Sequence, residues 1–199
     1  METDMFSVNI DKLITTTPAQ DRAYKELCNR VLAKGRKYKT IAVIGDSGYA
    51  LKLADAIVEA GNKVLFVDAD LTTPVFMGKY RLGKNLEGLS EYLDNMQNSS
   101  KVLCLTNKSD LNIVFSGEAT RQNLTAAEEE KLKEFLDDNI DDYDYIILEA
   151  GKSVEVARNC TATIMLLDNA SYSPRSAREK IEAYDNEGCL VLGVVLINA

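Results

Sequence analysis

The stretch from Lys39 to Pro74, KTIAVIGDSGYALKLADAIVEAGNKVLFVDADLTTP, constrains the fold more than any other part of the chain. Thr40 to Ile44 is a short apolar run rich in β-branched residues, and Gly45 ends it. Ala50, Leu53, Ala54, Ile57 and Gly61 then recur at helical spacing. A second apolar run, Val64 to Val67, closes on Asp68-Ala69-Asp70. Strand, glycine turn, helix, strand and carboxylates make one βαβ unit of a nucleotide-binding type. The turn Gly45-Asp46-Ser47-Gly48 leads into a helix N-terminus, where free N–H groups and the helix dipole favour an anion. No GK[ST] follows these glycines, so no lysine is placed for a β/γ-phosphate and no hydroxyl for magnesium.

The remaining segments extend this unit into one domain. Residues 1–16 read as an arm without a clear pattern, and residues 17–34 as a leading helix. Thr17-Pro18 supplies N-cap and first helical position, and Tyr24, Leu27, Cys28, Val31 and Leu32 form its apolar stripe. The core spans residues 39–199. A loop carrying Phe76, Met77, Tyr80 and Leu82 precedes a short helix in GLSEYLDN, with Leu86, Leu89, Tyr92 and Leu93 at helical spacing. Val102 to Leu105 and Leu111 to Phe115 are strand candidates around the turn Asn107-Lys108-Ser109-Asp110. Thr125 to Glu128 is a capping box, followed by a helix with Leu132, Phe135, Leu136 and Ile140 inward. The aspartates from Asp137 to Asp144 lack the alternation and glycine of a calcium loop and read as a solvated acidic turn.

Tyr145 to Leu148, ending at Glu149, and Thr163 to Leu167, ending at Asp168, are apolar on both alternating faces. Leu190 to Ile197 has the same character, and a helix begins before it at Ser173-Pro174. Strands of this kind are expected in the middle of a parallel sheet covered on both sides. The fold class is therefore α/β: a doubly wound, mostly parallel sheet with helices on both faces, a three-layer sandwich.

Composition removes several function classes. The chain has 199 residues, no histidine and a formal net charge of −8. Histidine-based triads, histidine-ligated zinc and histidine acid–base chemistry are excluded, and the acidic balance argues against nucleic acid as a partner. The four cysteines form no CxxC pair and read as buried thiols of a reducing compartment. With no apolar run of membrane-spanning length and no signal-like start, the expected location is the cytoplasm. The basic residues Lys34, Arg36, Lys37 and Lys39 read as a solvated helix end, or as a patch for an acidic partner.

In order along the chain, these segments resemble the bacterial tyrosine kinases of capsule and exopolysaccharide systems (BY-kinases), relatives of the partitioning and septum-placing P-loop ATPases. DRAYKELCNRV, residues 21–31, resembles the helix through which that family self-associates. KTIAV resembles the strand before the P-loop, VLFVDADLTTP the second acidic motif, and LEGLSEYL the helix after it. LNIVFSGE, YDYIILEAG and VLGVVLIN resemble the later strands, the second of them Walker B. The resemblance covers the chain from about Asp21 onward. It implies ATP and magnesium as cofactors if the site still functions. As partners it implies the cytoplasmic part of a membrane polysaccharide chain-length regulator and further copies through the helix of residues 21–31. A membrane association would then come through that partner or a fused membrane domain.

The departures from that pattern fall on the catalytic parts. The phosphate turn is shortened to Gly45, Asp46, Ser47 and Gly48 and lacks the lysine and hydroxyl; Lys52 lies too far along the helix to replace that lysine. Thr72 and Thr73 stand where the family has arginines, and Glu149 where it has the Walker B aspartate. Gly151 and Lys152 replace two prolines, and the tyrosine-rich tail is absent. Asp68 and Asp70 remain, and with Glu149 they form a vestigial metal set. The expectation is a pseudokinase with no catalytic residues, no cofactor, and a regulatory or scaffold role. Asp46 or Ser47 is expected to cap the second helix, with Tyr49 across the mouth of the former site. One alternative is a residual ATP-binding kinase domain. Another is a Rossmann-like dinucleotide-binding protein, read from Gly45-x-x-Gly48-x-Ala50 and Asp68, although Ser47 would crowd the pyrophosphate.

Overall fold

The computed structural model describes residues 7–46, 48–73, 87–95 and 99–198. Eight strands form one sheet: β1 (Ser7–Val8), β2 (Thr40–Ile44), β3 (Val64–Asp68), β4 (Cys104–Thr106), β5 (Leu111–Val114), β6 (Tyr145–Gly151), β7 (Ala162–Asp168) and β8 (Val191–Ile197). Their spatial order is β1-β4-β5-β3-β6-β2-β7-β8. Every neighbouring pair is parallel except β4 with β5. The central strands β2, β3 and β6 are buried along their whole length, as continuous apolar runs require.

Helices cover both faces. On one face lie α1 (Pro18–Leu32) and α2 (Tyr49–Glu59), packing Cys28, Val31, Leu53 and Ile57 against Ile41, Val43 and Phe66. On the other lie α3 (Leu89–Asn95), α4 (Ala126–Asn139), α5 (Val154–Arg158) and α6 (Pro174–Asn186). There Leu132, Phe135 and Ala177 meet Ala42, Ile44, Leu65 and Val67. The alternation Ile41-Ala42-Val43-Ile44 between the two cores is the two-residue period of a strand covered on both sides. All four cysteines are buried free thiols.

Three local readings change. The arm contributes β1, paired with β4, and Ile10 is fully buried with its N–H donated to Asn107 Oδ1 at 3.0 Å. The strand expected from Val102 begins at Cys104, because residues Ser99–Val102 form a 3₁₀ turn. β8 is an outermost strand rather than a central one, since among the described residues only β7 pairs with it, and it is half-buried over most of its length. The basic and acidic turns meet inside the chain: Arg36 pairs with Asp144 at 3.1 Å, and Lys39 Nζ donates to the Ile140 carbonyl. The apolar loop residues Phe76, Met77, Tyr80 and Leu82, Leu86, and Ser47 of the phosphate turn lie outside the described residues.

Candidate functional site: a phosphate turn met by carboxylates

β2, β3 and β6 are parallel, so their carboxyl ends converge where a doubly wound sheet places its ligand. The register puts Asp68 of β3 directly opposite Glu149 of β6. Glu149 in turn lies opposite Val43 of β2, one residue before the strand shifts register toward Gly151. Gly45 N–H donates to the Gly151 carbonyl at 2.7 Å, tying the start of the turn to β6.

α2 starts at Gly48, which has φ +91° and gives the helix no side-chain cap. A residue with a Cβ is strained in this left-handed conformation, which explains the glycine. The Gly48 N–H donates to Glu149 Oε1 at 2.5 Å. The expectation that Asp46 caps this helix is thus replaced by a carboxylate from the neighbouring strand end. It meets an amide that in a P-loop would face phosphate. Tyr49 does not span the mouth. It packs on the α1 side of the sheet and lines a groove with Tyr24 and Leu53.

The other two carboxylates have different surroundings. Asp68 is only 1% exposed, and its Oδ2 has no hydrogen-bond partner among the described residues. Burial pushes its pKa from 3.8 up to about 7; the Asp70 charge adds to this, and polar groups of Ser116 and the Asp70 backbone offset part of it. Asp70 Oδ1 accepts from Thr72 N–H at 3.1 Å, Thr72 Oγ1 at 2.5 Å and Thr73 N–H at 3.2 Å. This is an Asx-type turn, closed by Thr72 and Thr73. Gly151, at φ +57°, makes room for it: a Cβ there would lie 2.6 Å from Asp70 Cγ.

Two clefts flank the turn. One, of about 230 Å³, lies beyond β3 and β6 and is lined by Asp70, Thr72, Arg121, Lys152 and Glu155. The other, of about 440 Å³, lies beyond β2 and β7 and is lined by Asp46, Lys152, Asp168, Lys180 and Tyr184. Both have mixed charge. Among the described residues no group of three or more acidic or cysteine side chains is arranged to hold a metal ion. A magnesium–triphosphate does not fit the donors as they stand. The Gly48 amide faces a carboxylate, Asp70 Oδ1 already accepts three bonds, and Tyr49-Ala50 rather than a lysine and hydroxyl follows Gly48.

The sequence located Gly45, Asp46, Gly48, Asp68, Asp70 and Glu149 at one end of the sheet, and the structure brings the carboxyl ends of their strands together. It did not reveal the Gly48–Glu149 bond, which joins residues 101 positions apart. Nor did it assign a role to Thr72 and Thr73, although Asp-x-Thr-Thr is a recognisable Asx-turn signal.

The fold and this site define a P-loop NTPase-like α/β protein with acidic groups at its phosphate turn. No protein-family model matches the chain. It is 26% identical over 185 residues to tyrosine-protein kinase CpsD of Streptococcus pneumoniae, covering 87% of this chain and 82% of that protein. Its fold matches the kinase domain of the Escherichia coli tyrosine kinase ETK with a TM-score of 0.76, at 21% identity, over 96% of this chain and 82% of that one. It also matches the septum site-determining protein MinD of Pyrococcus horikoshii, solved with Mg-ADP, with a TM-score of 0.59, 18% identity, and coverage of 79% and 69%. In sequence the chain is similar to capsular tyrosine-protein kinases, and it shares its fold with tyrosine kinase domains and with MinD.

Proposed function

We propose that the chain is a catalytically inactive relative of the capsular tyrosine kinases, with a regulatory or scaffold role in polysaccharide production or export. The observation that carries this reading is the 2.5 Å bond from the Gly48 N–H to Glu149 Oε1. A phosphate placed there would displace a carboxylate or lie against it, at a cost in charge repulsion. Phosphoryl transfer depends on positioning and on neutralising the β/γ-phosphates. One electrostatic contact of this kind is typically worth roughly 10²–10³ in rate, so several missing together leave no useful kinase. The partner implied by the family is the cytoplasmic part of a membrane chain-length regulator, with self-association through residues 21–31. Location would be cytoplasmic, at the membrane through that partner; among the described residues no helix is long and apolar enough to cross a membrane.

Melting temperature with and without millimolar ATP–Mg²⁺ tests the reading, beside a tyrosine phosphorylation assay. The expected result is no shift and no transfer. A clear upward shift with ATP–Mg²⁺, or transfer that disappears in Asp70→Asn, would overturn it. A shift with NAD(P) alone would instead favour a dinucleotide-binding protein.

A further inference from the structure

The sheet has two edges of opposite character. At one, β1 contributes two residues beside the antiparallel β4–β5 hairpin. At the other, β8 runs for seven residues as VLGVVLI, and among the described residues no strand pairs with its outer side. Natural edge strands are usually short, charged, interrupted by proline or covered, because unpaired N–H and C=O groups recruit another strand. β8 has no charge and no proline, and from Cys189 to Asn198 no charged side chain occurs. Leu190 and Leu196 are 49% and 38% exposed. One irregularity exists: Val191 and Gly193 face consecutive residues of β7, which leaves Leu192 as a bulge. From Gly193 to Ile197 the strand pairs regularly.

We propose that β8 pairs antiparallel with β8 of a second copy about a twofold axis, joining the two sheets into one. Centred on Val195, such pairing sets Gly193 opposite Ile197 and Val194 opposite Leu196. A Cβ on Gly193 would touch nothing in the chain itself, and its φ is not positive, so internal packing gives no reason for a glycine. Opposite a β-branched isoleucine of another copy, it leaves room for close backbone approach.

Charge on α6 selects a second copy as the occupant. α6 returns the chain between the parallel neighbours β7 and β8, so it runs antiparallel to β8. Its amino half carries Arg175, Arg178 and Lys180 against Glu179, and its carboxyl end carries Glu182, Asp185 and Glu187. All seven are exposed. A twofold axis perpendicular to the sheet keeps the two α6 helices on one face and reverses their directions. The basic end of each then lies toward the acidic end of the other, with the helix dipoles also opposed. Main-chain bonds supply affinity, and this charge pattern fixes the antiparallel register.

Sedimentation or light scattering on a dilution series of the whole chain tests the proposal. The expected species is a dimer that dissociates on dilution and weakens with salt. Leu196→Lys should raise its dissociation constant at least about tenfold, with the circular dichroism melt unchanged. Arg178→Glu should weaken it, and Arg178→Glu with Asp185→Arg should restore it. Amides of residues 193–197 should exchange more slowly as concentration rises. A chain that stays monomeric at submillimolar concentration overturns the proposal. So does a dimer insensitive to Leu196→Lys, or one that Arg22→Glu on α1 breaks while Leu196→Lys spares it.

Discussion

Two helix N-termini in this molecule are served in opposite ways. α4 begins at Thr125, whose Oγ1 accepts the Glu128 N–H at 3.3 Å, while Glu128 Oε2 accepts the Thr125 N–H at 2.7 Å. The whole arrangement spans four consecutive residues and is exposed to water. α2 begins at a glycine without a side-chain cap and takes its acceptor from Glu149, on another strand. Every helix must satisfy its first N–H groups. α1, α5 and α6 do so like α4, through Thr17, Ser153 and Ser173. Among these five helices the exception is α2, which points at the carboxyl ends of the central strands; α3 also uses distant acceptors, but they are the main-chain carbonyls of Phe115 and Ser116. A terminus without a local cap is what an anion site requires, and here the chain brings its own carboxylate to it.

The difference is broken most directly at Glu149. Glu149→Ala should cost about 3 kcal/mol, since it truncates a buried side chain and leaves the partly buried Gly48 N–H without this acceptor. For a domain of this size the melting temperature should fall by roughly 5–10 °C. If the carboxylate stands in for an anion, millimolar phosphate should recover part of the loss in the variant and do nothing for the parent. A variant as stable as the parent would show that α2 does not depend on the distant acceptor.

The same cluster should show in the pH dependence of stability. Asp68 is held up to about 7 in the folded chain, chiefly by burial, against an ordinary value of 3.8. Between these values the folded state holds a proton that the unfolded state has released, so stability falls as pH rises through this window. By linkage the loss is about 2 kcal/mol between about pH 5 and pH 7. Asp68→Asn should remove this slope, gaining on the parent most at neutral pH and least below pH ~4. Chemical denaturation across the range measures it, and parallel profiles for parent and variant would contradict the buried-carboxylate account.

The contrast between the two termini also marks what was legible in the sequence. Thr17, Thr125 and Ser173 could be placed as caps because a cap joins residues two or three apart. The buried runs of β2, β3, β6 and β7 were legible because a strand covered on both faces needs no polar alternation. β8 looked the same in sequence and proved to be an edge, since its composition does not report whether a second strand or helix lies beyond it. At the site, strand ends carrying Asp68, Asp70 and Glu149 could be read from the apolar runs before them. Which carboxylate would meet the Gly48 amide depends on register between β2, β3 and β6, and no local pattern encodes that. Asp70 was partly legible, because Thr72 and Thr73 follow it at the spacing of an Asx turn.

The smallest effect belongs to the local cap, and it sharpens the comparison from the other side. Thr125→Ala removes the Oγ1 that accepts the Glu128 N–H. Both groups lie at the surface, so water can take over the donor, and the cost should be about 1 kcal/mol. Glu128 keeps its own bond to the Thr125 backbone and its ion pair with Arg121, so the rest of the box survives. Arg121 also reaches Asp94 at 3.1 Å and the Ser90 carbonyl at 3.2 Å, which holds the guanidinium independently of the cap. Melting should therefore fall by roughly 2–4 °C, and Thr125→Ser, which keeps an acceptor in place, should stay near the parent. Should Thr125→Ala cost as much as Glu149→Ala, burial and distance would not separate the two termini, and the special standing of the α2 N-terminus would be lost.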